Sequence, residues 1–131
     1  MKRQTAAVLL TLTLAISAYA TTPASNATID WSKAEKNYTV ALASENIGLR
    51  HSAASYIAEY RLAGAVVSLI GVLQNDKVEQ MRMAAAQALV QLGNKDGLDA
   101  VKDAAQYDGS EKVARYCEQL ISSLEGSISQ K

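Results

Sequence analysis

Few side chains in this 131-residue chain could do covalent or metal chemistry. It holds one cysteine, Cys117, and one histidine, His51. A reactive thiolate needs a base beside it and a lowered pKa. One Cys and one His do not fill a tetrahedral metal shell. Cys117 therefore reads as a small buried hydrophobe. Asp96, Asp99 and Asp103 fall on one side of a helix, with Lys102 adjacent, a solvated charged face rather than an acid/base couple. Gly48, Gly64, Gly71, Gly93 and Gly97 are scattered singly, so no phosphate-cradling loop is formed. Two pairs of residues share a spacing of 32: Arg50 with Arg82, and Asp76 with Asp108. A repeated arginine could be a ladder of anion contacts. It could equally be a structural fork of donors that ties loops together, and the regular spacing favours the fork. These residues predict no catalytic centre, no metal and no cofactor.

The elements that place these residues begin after a leader. Lys2 and Arg3 precede an apolar run, Ala6–Ile16, and then small residues at Ala18 and Ala20. Basic, apolar, then small is the layout of a secretory signal peptide, with cleavage expected after Ala20. The run is too short to cross a bilayer, so no membrane insertion is expected once the leader is removed. Removing residues 1–20 from 131 leaves 111. The loss of Lys2 and Arg3 turns thirteen basic against thirteen acidic groups into a net charge of −2. That balance shows no basic excess for nucleic acid. A lone cysteine excludes a disulfide scaffold, and 49% apolar residues exclude a disordered chain. Asn26 and Asn37 head glycosylation sequons, which matter only in a eukaryotic secretory pathway. Residues 21–30 read as a flexible lead-in, and a periplasmic or secreted location follows from the leader.

Beyond residue 30 the chain repeats every 32 residues. Leu49, Met81 and Val113 align, as do Ala53, Ala85 and Cys117, then Ile57, Leu89 and Ile121, then Tyr60, Leu92 and Leu124. Within each copy the spacing makes one apolar stripe on a helix. A second stripe runs through Val66, Leu69, Ile70 and Leu73. Asp76–Glu79 and Asp108–Glu111 resemble capping boxes, as does Ser32–Glu35. Gly93 and Gly126 are placed to close helices. The pattern predicts helices near 31–43, 46–60, 62–74, 77–92, 95–106 and 110–124. Trp31, Tyr38 and Leu42 match Leu62, Leu69 and Leu73 at a shift of 31, so the first helix resembles the second half of a missing unit.

Helix pairs of this period shelter their apolar stripes only by stacking on one another. Leu49-Arg-His-Ser-Ala-Ala and Met81-Arg-Met-Ala-Ala-Ala-Gln-Ala-Leu-Val-Gln-Leu-Gly93 resemble HEAT-like repeats of the short, phycobiliprotein-lyase type. The third copy departs: Ala114 replaces the arginine, and Glu118 the second small residue, which suits a terminal cap. The resemblance implies an all-α fold, a short α-solenoid of about two and a half helical hairpins over 31–126, with 127–131 as a tail. It also implies protein binding rather than one reaction, with second helices lining the concave side. Leu62–Leu73 has one polar residue, Ser68, in twelve. Its Val67 and Gly71 share phases with Asp99 and Asp103 on one side and with Lys36 and Val40 on the other. The middle helix could simply be covered by its neighbours. The sharper expectation is a groove at Val67, Ser68 and Gly71, rimmed by Lys36, Asn37, Asp99 and Asp103. The leading reading is thus an exported, non-catalytic interaction module with an unidentified protein partner, or a second copy meeting it through the N-terminal helix with Trp31 and Tyr38. The alternative is a lyase-like or chaperone role in bilin handling.

Overall fold

The computed structural model describes residues 28–130. The leader, Asn26 and most of the lead-in lie outside the described residues. Six helices follow: α1 Trp31–Ala41, α2 Ile47–Glu59, α3 Val66–Asn75, α4 Glu79–Leu92, α5 Lys95–Tyr107 and α6 Glu111–Ile128. A 3-10 turn at Ala63–Ala65 leads into α3. No strand occurs among the described residues, and no helix there is long and apolar enough to cross a membrane.

The helices form two layers. In one, α4 lies between α2 and α6; in the other, α3 packs on α5, while α1 meets the 3-10 turn. Between layers, α1 packs on α2, α3 on α4, and α5 on both α4 and α6. Alanines let the first layer approach closely: Ala53, Ala54 and Ala58 on α2, and Ala85, Ala86 and Ala88 on α4, are all buried. Ile57, Leu69, Leu73, Met81, Leu89, Val101, Val113 and Cys117 fill the space between the layers and between units. Each such side chain contributes roughly 1.5–3 kcal/mol on burial.

Local signals set most helix ends. Asp30, Asn46, Asn94 and Ser110 accept hydrogen bonds from the backbone N–H groups of the first turns of α1, α2, α5 and α6. Gly93 closes α4 in the left-handed conformation, at φ 69°.

Four expectations need correction. The cap of α1 is Asp30, not Ser32, and Glu35 instead accepts a hydrogen bond from the N–H of Gly64 at 3.1 Å, joining α1 to the 3-10 turn. Asp76 and Asp108 do not head capping boxes; each accepts from the N–H two residues on, Val78 and Ser110, and the helices start at Glu79 and Glu111. Gly126 does not close α6, and the tail expected at 127–131 begins as helix. The Ser127 and Ser129 hydroxyls donate to the carbonyls of Ser123 and Glu125 in that last turn. Leu49 and Tyr60, expected on the buried stripe, are exposed, because the described chain has no earlier first-layer helix to cover α2.

Candidate functional site

The face that sequence reasoning singled out lies on the second layer. Val67 points to solvent and is 80% exposed, the most open of the large apolar side chains described. The reason is geometric. Val66, Leu69 and Leu73 turn inward, and Val67 sits between those inward phases on a helix whose outer side meets no other element. Gly71, one turn on, leaves open space where a side chain would stand. Ser68 is half-buried beside it. Asp99 and Asp103 are exposed on α5, which packs along α3, so these two rows run side by side. Lys36 and Asn37 are exposed on α1, but α1 meets this layer through the 3-10 turn that precedes α3 and the Glu35–Gly64 hydrogen bond. The basic rim is therefore joined to the apolar row at one end only. Val40, in the phase of Gly71, adds a second exposed apolar side chain on α1.

Electrostatics on this face is local. Lys95 donates to Asp99 at 2.6 Å, and that hydrogen bond, together with the lysine charge, holds the Asp99 carboxyl below the usual carboxylate range. Asp103 forms no ion pair among the described residues. It stands at the mouth of a cleft of about 350 Å³ between the C-terminal ends of α3 and α5, with the exposed ring of Tyr107 beside it. Sequence reasoning missed this cleft. The only signal for it was Tyr107 one helical turn after Asp103.

Asp76, Arg82 and Asp108 also line the cleft, and there the repeated Arg and Asp series pair. Arg50 grips the Asp76 carboxylate through Nε and Nη2 at 3.0 and 3.3 Å, and Nη1 donates to the carbonyls of Ser44 and Glu45. Arg82 grips Asp108 at 2.9 Å through both nitrogens and donates through Nη1 to the carbonyl of Asp76. Each fork thus ties the loop before its own helix to the loop before the next. Burial pushes the Asp108 carboxyl up, but hydrogen bonds from Arg82 and the Ser110 N–H, with the arginine charge, outweigh it and leave it below its ordinary value. Both arginines are occupied by these contacts. Ala114, at the same phase in α6, ends the series.

Cys117 is fully buried in the Ala53/Ala85 phase, and burial pushes its thiol up to about 11. Such a thiol stays protonated near neutrality and is a poor nucleophile. His51 is exposed on the outer wall between α2 and α4, near Gln87 and Gln91. No cluster of three or more potential metal ligands occurs among the described residues.

A family model described as HEAT repeats matches residues 35–122, from the middle of α1 to the last third of α6. The chain belongs to the HEAT-repeat family. The match spans α2 to α5 whole and parts of α1 and α6. HEAT repeats commonly mediate protein–protein interaction. No curated protein and no solved structure matches the chain.

Proposed function

We propose that this HEAT-repeat protein is an exported, non-catalytic interaction module that takes an apolar segment of another protein on its second-helix face, centred on Val67. One observation carries the reading: a valine 80% exposed on α3, one turn from an open Gly71 and on the helix that packs along α5 with its exposed Asp99 and Asp103. An apolar centre with a charged rim is the usual anatomy of a protein interface. The face is small, and a weak or transient complex suits it. Export rests on the leader pattern of residues 1–20.

Val67→Asp tests the site. The variant should keep its helical circular dichroism, because the side chain is already in water. It should lose the proteins that the parent retains from an envelope or medium extract. Retention of the same proteins by the variant would remove the face from consideration. For export, the mass of the protein recovered outside the cytoplasm should correspond to a chain starting at Thr21. Kinship with the bilin-handling class of short HEAT units is the competing proposal, and an absorbance shift on mixing with a free tetrapyrrole would favour it.

A further inference from the structure

The two ends of the stack differ. On α2 the phases that face the preceding unit carry Leu49, Tyr56 and Tyr60. On α4, which packs on α2, the equivalent Met81 and Ala88 are buried. On α2 they are open: Leu49 is 50% exposed, Tyr56 43% and Tyr60 42%. Trp31, at 45%, packs tilted against Tyr60 with ring centroids 5.0 Å apart, Tyr38 meets Tyr56 at 5.5 Å, and Tyr56 stacks on Tyr60 at 6.0 Å. Four of the chain's seven aromatic residues thus form one row, with uncharged Ser52 and Ala53 inside it. At the other end, the phases of α6 that face away from α4 carry Arg115, Glu118 and Ser122.

We propose that the N-terminal end is a self-association face that pairs with the same face of a second copy about a two-fold axis. Head-to-tail stacking would set Leu49, Tyr56 and Tyr60 against the charged α6 surface, at a desolvation cost with no apolar contact in return. Across a two-fold axis the row meets itself. Half-exposed rings and a leucine offer roughly 100 Å² each, so the row presents on the order of 400 Å² per chain. With the polar rim that makes up over a third of a typical interface, a pair buries about 1,300 Å², within the range of specific dimers. After cleavage at Ala20, the residues left before α1 hold one large apolar side chain, Ile29, and it is itself 62% exposed rather than laid over the row. This last point rests on the export reading, while the face itself is independent of the Val67 surface.

The test uses the exported protein in sedimentation from micromolar to near-millimolar concentration, with acrylamide quenching of Trp31, the only tryptophan. The expected result is a doubled mass at the upper end and quenching that falls as the mass rises. Leu49→Glu and Leu49→Lys should each weaken self-association by about tenfold or more. Unchanged circular dichroism would show that both variants fold. Val67→Asp should leave the pair intact. A mass of one chain throughout, a pair indifferent to Leu49, or a pair broken by Val67→Asp would each overturn the proposal. A single-chain mass with Trp31 already shielded would assign the face to the chain's own preceding residues, and would overturn it too.

Discussion

The unit built from α2 and α3 and the one built from α4 and α5 share a sequence phase, yet equivalent residues behave differently. Met81 is fully buried and Leu49 half exposed; Gly97 lies under Leu89, while the first unit has Ala65 at the glycine's place in the repeat; Gly93 turns the chain where the first unit uses Arg61. What separates them is position in the stack. The second unit has a helix of the first layer on either side, and the first unit has one on one side only. A periodic pattern thus specifies which way a side chain points, while the neighbours decide whether that direction is interior.

The largest expected contrast is between Met81→Ala and Leu49→Ala. The first should cost about 3 kcal/mol by cavity formation, and the second less than about 1 kcal/mol, in urea unfolding of the same protein. Equal losses would mean that α2 is covered in solution as well as α4.

Next come the two forks. Arg82→Ala leaves Asp108 partly buried without its partner, and Arg50→Ala does the same to Asp76; each should cost about 2 kcal/mol. The two losses should not add, because Asp76 binds Arg50 with its carboxylate and Arg82 with its carbonyl. Additive losses in the double variant would show that the forks act separately. The pH dependence has a definite sign. The folded-state pKa of Asp108 is depressed. Its contribution is therefore complete above the unfolded value of about 4 and is lost as the pH falls below it toward the folded pKa. Asp108→Asn should flatten that acid limb of the unfolding profile.

A smaller effect is expected at Gly97. A methyl group there would stand 2.9 Å from Leu89 Cδ2, inside normal contact distance. Gly97→Ala should cost about 1 kcal/mol by overpacking. Leu89→Ile in the same chain, which moves that methyl group, should recover part of it. No recovery would mean that the cost does not arise at this contact.

The smallest effect concerns the helix ends. Arg61 holds φ 52° without the freedom of glycine, so Arg61→Gly should gain about 0.5 kcal/mol. Gly93→Ala should lose up to about 1 kcal/mol although open space surrounds it, because the cost is in the backbone. Thermal unfolding of the two variants reads both.

Helix number, helix phase and the 32-residue repeat were legible in the sequence, because hydrophobic periodicity is a local property of successive turns. The Arg50/Arg82 and Asp76/Asp108 series were visible as spacing. Their pairing across 26 residues was not, because it depends on how one loop is laid beside the next. The two aspartates looked like caps for the same reason: a carboxylate near a helix start accepts from whichever N–H the loop presents. The outward phase of Val67 could be read from alignment with Asp99, but its openness required knowing that nothing packs over α3.

The sequence by itself determined an all-helical repeat with small residues where helices approach and charged residues toward the last unit. Only the tertiary structure decided which apolar side chains stay in water. Burial is a relation between neighbours, and the same phase is core in α4 and surface in α2 because a stack of paired helices has an interior only between its units.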